Sequence, residues 1–331
     1  MDIRNRKELT SFAAQRLEQA PQSKTIVAVF AAVAIGLSLL SALVTYLLGL
    51  GIDQSGGLSK IGTRAILSAL QTMLPLVQSV IVLCLELGYL AAMLRVARGQ
   101  FVSLRTLRLG FDRFWVLLRF TLLQLMILMG MGFASLYFGI LLFLSTSLSE
   151  PVTELLAPLV GQSTLLDPTL AISEAMYDSL MQAMVPCFFI CAIIFLVAAV
   201  PVVYRLRMTN YVIIDKPGMG AIAAMRTSRA MMRRNCLELL KLDLRLWWFY
   251  AATLAASVIC YGDQILPMLG VELPISADAA FFLFYGIYWA LEFAIFYFLR
   301  NRVYVSYALF YDAVRPKEET GGVVLGNIFQ M

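Results

Sequence analysis

The chain has 331 residues, of which 60% are hydrophobic and only 14% are charged, and its formal net charge is +5. A soluble protein of this length needs more charged residues to cover its surface, so the composition excludes an ordinary soluble globular domain. The sequence contains no histidine, which also excludes a serine–histidine catalytic pair and metalloprotease sites built on histidine ligands.

Six apolar stretches follow one another along the chain. An α-helix of about 20 mostly apolar residues is needed to cross a hydrocarbon core of about 30 Å. The stretches are residues 25–50, 65–94, 114–148, 181–204, 246–261 and 279–299. The first is longer than the apolar region of a signal peptide, about 7–15 residues, so we expect it to be retained. The sequence therefore predicts an all-α polytopic membrane protein with six transmembrane helices and two short amphipathic cytoplasmic helices.

The basic residues predict how these helices are oriented. None of the 26 lysines and arginines lies between residues 145 and 204 or between residues 246 and 299. With six spans, all of them except Lys60 and Arg64 fall on one side, which the tendency of basic loops to stay inside identifies as cytoplasmic. The opposite loops carry nine acids: Asp53, Glu150, Glu154, Asp167, Glu174, Asp178, Asp263, Glu272 and Asp278. We therefore expect a multi-pass protein of the cell membrane with both termini in the cytoplasm.

Residues 1–24 are predicted to form a cytoplasmic segment, residues 25–311 the membrane domain and residues 312–331 a cytoplasmic tail. Cytoplasmic connections are expected at 99–113 and 215–245. Within the second, a helix over 218–235 has one small and apolar face, with the arginines Arg226, Arg229 and Arg233 along a neighbouring ridge. This basic helix is interpreted either as a contact for anionic lipid or a partner protein, or as a connecting helix whose arginines merely neutralise headgroups.

Several short motifs resemble a known family. They are Gly88-Tyr89, Arg98-Gly99, Leu109-Gly110-Phe111 and Phe114 in the first half, then Tyr211, Asp215, Pro217, Ala224, Ser228, Met231, Trp247, Trp248 and Ala308-Leu309-Phe310-Tyr311. The chain resembles the domain-of-unknown-function 975 family of bacterial integral membrane proteins, common in Gram-positive bacteria. The resemblance implies a shared membrane fold with six spans, and it implies no activity.

Two carboxylates, Glu86 and Glu292, lie inside predicted spans, where a charge is costly without a partner, a hydrated cavity or protonation. Helical spacing places Gln78 on the face of Glu86 and Tyr288 on the face of Glu292, with Arg119 just inside the third span. We interpret these five residues as a candidate intramembrane polar seam. It is either a path for protons or cations or a set of hydrogen bonds that holds helices together.

No motif predicts catalysis, and no cofactor or metal site is expected. The chain lacks a GxxxxGK[ST] phosphate loop, a Cys-x-x-Cys pair and aspartates inside the spans. A basic face beside a membrane favours anionic lipid headgroups over nucleic acid as its partner. Nothing in the sequence predicts the oligomeric state. We therefore expect a non-enzymatic membrane interaction or accessory protein that contacts anionic lipid or another membrane or cytoplasmic protein. The alternative is a small transporter or permease subunit that uses the intramembrane carboxylates.

Overall fold

The computed structural model describes residues 6–54, 61–160, 174–268, 270–271 and 276–316, and these residues form helices and short connections without a strand. The first five residues and the tail from residue 317 onward, for which a mobile cytoplasmic end is predicted, lie outside this range. The helices are α1 (Arg6–Gln19), α2 (Gln22–Gln54), α3 (Ile61–Ala97), α4 (Leu109–Asp112), α5 (Phe114–Leu144), α6 (Glu150–Val160), α7 (Glu174–Leu206), α8 (Thr209–Asp215), α9 (Ala221–Met232), α10 (Cys236–Arg245), α11 (Trp247–Cys260), α12 (Gly262–Met268), α13 (Ala277–Ile295) and α14 (Asn301–Val314).

Among the described residues, five apolar segments are long enough to cross a membrane: Gln22–Leu50, Gly62–Ala97, Phe114–Leu144, Ser179–Asp215 and Ala279–Val314. The predicted count of six spans is not confirmed, because the fifth predicted stretch forms only the short helix Trp247–Cys260. At 1.5 Å per residue this helix is about 21 Å long, which falls short of a core of about 30 Å. The backbone turns at Tyr261 before α12 begins.

The chain divides into two compact units, and the first contains residues 1–117 and 207–331. Within it α2 packs along α3, and α11 packs along α13. The half of α3 near its C-terminus is buried, with Met93 and Leu94 almost inaccessible, whereas Ile66 and Leu76 nearer its start are exposed. This unit therefore has its densest core at one end of the helices.

A backbone crossing fixes the segment after α3 against that buried half. A Cβ at Gly110 would overlap the carbonyl oxygen of Cys84, and a Cβ at Gly88 would overlap the backbone of Leu107. Between them, α3 ends at Ala97, and Gly99 follows with a φ of 69°, the left-handed conformation common just after a helix. The predicted amphipathic helix at 99–113 is thus a 3₁₀ helix over Leu104–Arg108 followed by the single turn α4.

Helix α14 lies at the centre of the buried end. A π-helical turn over Phe296–Arg300 joins α14 to α13. Helix α14 itself packs against α1 and α3. Nine of its residues are buried: Asn301, Val303, Val305, Ser306, Tyr307, Ala308, Leu309, Phe310 and Tyr311. The C-terminal part of the last apolar segment therefore belongs to the core as far as Tyr311.

The second unit contains residues 118–206. Its long helices α5 and α7 are accompanied by α6, and its core is formed by Phe143, Val152, Cys187 and Cys191. Gly139 permits the close approach of α7, because a Cβ there would overlap Sγ of Cys191. The five cysteines of the chain all lie in its described part, and none of them forms a disulfide.

Candidate functional site

Three buried ionic clusters lie along α14 in the first unit. They involve side chains at positions 300 and 304, then 307, then 311, 312 and 315, so they follow one another at about one helical turn along the helix. Their partners come from α3, α8, α10 and α11, together with Arg98 just after α3 and Arg207 just after α7. We call these three clusters the polar end of the protein.

The first cluster surrounds Arg300, which is only 8% exposed. Its Nη2 donates to Oε1 of Glu86 at 2.9 Å and to the hydroxyl of Tyr304 at 3.2 Å, and Tyr304 donates in turn to Glu86. The guanidinium lies 4.3–5.3 Å from the ring centroids of four aromatic residues: Phe30, Tyr89, Phe296 and Tyr304. Carboxylate and rings together compensate for the burial of this charge.

The cluster at the C-terminal end of α14 joins the ends of three helices. Arg98, just after α3, contacts Asp215 at the end of α8 at 2.8 Å and Asp312 of α14 at 2.7 Å. Arg315 reaches the same two carboxylates, and Tyr311 donates to Asp215 at 3.1 Å. Burial disfavours the charged form of Arg98, but its hydrogen bonds to the two aspartates outweigh this and raise its pKa. Arg98 therefore keeps its positive charge within this cluster.

The middle cluster, at Tyr307, is centred on Asp243 of α10, which is 8% exposed. Arg207 donates to one carboxylate oxygen and Tyr307 of α14 donates to the other. Tyr250 of α11 hydrogen-bonds to Arg207 at 2.8 Å and to Tyr307, and Arg207 lies 4.5 Å from the Tyr307 ring centroid. This arrangement closes a ring of hydrogen bonds around one buried carboxylate.

The residues of the predicted seam differ in their hydrogen-bond partners. Glu86 belongs to the Arg300 cluster, whereas Gln78 donates to Oγ of Ser38 in α2 at 2.7 Å. Glu292 lies eight residues before Arg300 and is 9% exposed, and among the described residues its Oε2 has no hydrogen-bond partner. Tyr288 lies one turn before Glu292. Arg119 belongs to the second unit, and its place in the seam stays a prediction.

The predicted basic helix is α9, which is shorter than expected and spans Ala221–Met232. Its small and apolar face is the buried one: Ala221, Ala224, Met225, Ser228, Met231 and Met232. Arg226, Arg229 and Arg233 are exposed, and within the described part of the chain none of them forms an ion pair. The arginine ridge is therefore available to a partner.

The burial of Arg300 is not among the sequence-based predictions. A signal was present: Arg300, Tyr304, Tyr307 and Tyr311 follow one another at spacings of three and four residues, which places them on one helical face. Four amphipathic side chains in such a row indicate a buried polar stripe.

This fold, with its long apolar helices, defines an all-α membrane protein. The family model described as "Protein of unknown function (DUF975)" matches residues 1–318, so the chain belongs to that family. No curated protein and no solved structure matches the chain. The residues that carry the resemblance meet in the structure: Arg98, Asp215 and Tyr311 form one cluster, and Gly88 and Gly110 form the backbone crossing.

Proposed function

We propose that this protein is a non-enzymatic integral membrane protein of the bacterial cytoplasmic membrane whose basic face contacts anionic lipid headgroups. Both termini lie in the cytoplasm in this proposal. A sixth crossing would require α11 and α12 together, since α11 alone is too short.

The arginine ridge of α9 is the observation that carries this proposal. Its three guanidinium groups are exposed while the opposite face of the same helix is buried against the first unit, including α8. The helix is therefore held in place by its small face and presents its charges outward. A basic side chain near an anionic membrane surface contributes about 1 kcal/mol of attraction. Three of them on one short helix favour a lipid surface over a bare connecting role.

The test is the lipid selectivity of the reconstituted protein. The association of spin-labelled phosphatidylglycerol relative to spin-labelled phosphatidylcholine is measured by electron spin resonance. We expect the triple substitution Arg226→Gln, Arg229→Gln and Arg233→Gln to lower the preference for the anionic lipid at least threefold. The matched triple substitution to lysine keeps the charge and should retain most of the preference. Equal selectivity of the native and glutamine forms contradicts the proposal and favours a protein partner.

A small transporter is the second candidate function, and one observation favours it. Oε2 of Glu292 is buried without a hydrogen-bond partner among the described residues, which is costly unless the carboxyl group is protonated or binds a ligand. Proton flux into proteoliposomes that is abolished by Glu292→Gln supports this function. Absence of flux with the native protein argues against it.

A further inference from the structure

A small open cavity with two basic side chains in its wall lies in the first unit, between the turn that joins α1 to α2 and the start of α14. Its volume is about 230 Å³, several times the roughly 30 Å³ that one water molecule occupies in the liquid. Lys24 from the first turn of α2 and Arg302 from the first turn of α14 both line it. Both side chains are exposed, and neither forms an ion pair within the part of the chain that the structure describes. Two cations from different helices thus meet at one opening.

Ser23 supplies an unused hydrogen-bond donor in the same wall. The residue is 1% exposed, and its Oγ is buried with no partner among the described residues. A buried hydroxyl without a partner destabilises a protein, because it has lost its hydrogen bonds to water. A ligand oxygen that accepts from this hydroxyl would remove that cost. The positive end of the α2 dipole lies at the same turn and also favours an anion.

The charges around the cavity distinguish between anions. Glu18 lines it together with Lys24 and Arg302, so two positive charges and one negative charge leave a net charge of +1. A phosphate diester carries a single negative charge, which this balance matches. A free phosphate monoester carries about −1.5 to −2 at neutral pH and fits the balance less well.

Two aromatic residues place the cavity at the edge of a membrane. Tyr297 and Phe298 complete its lining, and Phe298 is 72% exposed. Aromatic side chains concentrate at the level of lipid headgroups, and an exposed phenylalanine is suited to contact acyl chains. We infer that this cavity binds the phosphate diester of one phospholipid headgroup. The inference rests on the proposed contact of the basic face with lipid and assigns it a second, enclosed site away from the ridge of α9.

Native mass spectrometry of the detergent-purified protein with added phosphatidylglycerol tests the inference. We expect the native chain to retain one phospholipid under conditions that strip the others. Lys24→Gln combined with Arg302→Gln should lower this retention at least tenfold, and Ser23→Ala alone should lower it about threefold to tenfold. Ser23→Ala removes a hydroxyl that has no partner among the described residues, so it keeps the test decisive if the double variant does not fold.

Two further arms identify the ligand. A diacylglycerol glucolipid, which lacks phosphate, should not be retained, and glycerol 3-phosphate at millimolar concentration should displace the phospholipid weakly or not at all. Equal retention of the glucolipid, or full displacement by glycerol 3-phosphate, overturns the assignment to a phosphate diester of a lipid.

The paired variant Arg226→Gln with Arg229→Gln separates this inference from the proposed function. It removes two positive charges from α9, as many as the Lys24 and Arg302 double variant removes from the cavity, and should still retain the single lipid. Equal retention by the native chain, the Lys24 and Arg302 double variant and Ser23→Ala overturns the cavity site, whatever the selectivity measured for the α9 ridge.

Discussion

The polar end and the opposite half of the long helices differ in which side chains they bury. At the polar end, charged and aromatic groups such as Arg300 and Tyr307 are buried inside the protein. In the opposite half, large apolar side chains such as Leu70, Leu76 and Phe282 are exposed. In a lipid environment the exposed apolar groups need no protein partner, so hydrophobic burial contributes little to helix association there. The first unit is therefore held together mainly at its polar end, where specific polar contacts and close backbone approach add to a packed apolar core.

The buried ion pairs suit that role through the cost of breaking them. A buried pair contributes little net stability compared with a well-packed apolar pair, but removal of one partner leaves a charge uncompensated. Because the three clusters share α14, they select one position of this helix relative to α3, α8 and α10. The comparison predicts that small changes at the polar end have large effects and that similar changes elsewhere have small ones.

The largest effect is expected at the Arg300 cluster. Glu86→Gln keeps the shape of the side chain but removes the carboxylate from a guanidinium that is 8% exposed. Because Glu86 itself is 37% exposed, water screens part of the effect, and the free energy of unfolding should fall by about 2–3 kcal/mol. Titration with a denaturing detergent measures it. Asp112→Asn is the control, because Asp112 is 61% exposed and pairs with Arg108 at the surface, and the change should cost less than about 0.5 kcal/mol. Equal effects of the two variants would remove the distinction between the polar end and an exposed helix face.

A smaller effect is expected at the backbone crossing. Gly110→Ala places a methyl group against the carbonyl oxygen of Cys84 and should destabilise the first unit by about 2 kcal/mol. Gly36→Ala in α2 is the control, since nothing lies within 4 Å of the added Cβ. There alanine is the better helix former, so the variant should be neutral or up to about 1 kcal/mol more stable. A thermal midpoint in detergent that is unchanged by Gly110→Ala would show that the crossing can relax.

Much of the fold was predictable from the sequence because the membrane imposes simple rules. The length and apolarity of the segments around α2, α3, α5, α7 and α13 identify helices without knowledge of their partners. The exposed arginines of α9 and its buried small face follow from helical periodicity, which places residues three and four apart on one side.

What could not be predicted depends on contacts that are distant in the chain. Arg300 pairs with Glu86, and Arg98 with Asp312, each across 214 positions, and no local pattern reveals such a pairing. The bounds of α11 lie within the predicted stretch 246–261, but that stretch is itself shorter than the roughly 20 residues of a span, so its apolarity alone did not establish a sixth crossing. The hydroxyl of Ser23, which has no hydrogen-bond partner among the described residues, could not be predicted from the sequence either, because its burial arises from the turn between α1 and α2.

A double-mutant cycle on Arg207 and Asp243 tests the claim that buried ion pairs hold the polar end. Arg207→Gln, Asp243→Asn and the combination are compared with the native chain by free energy of unfolding. Because the two side chains are in direct contact, the account predicts a coupling free energy of about 1–3 kcal/mol. Single-variant effects that add to within about 0.3–0.5 kcal/mol would contradict it.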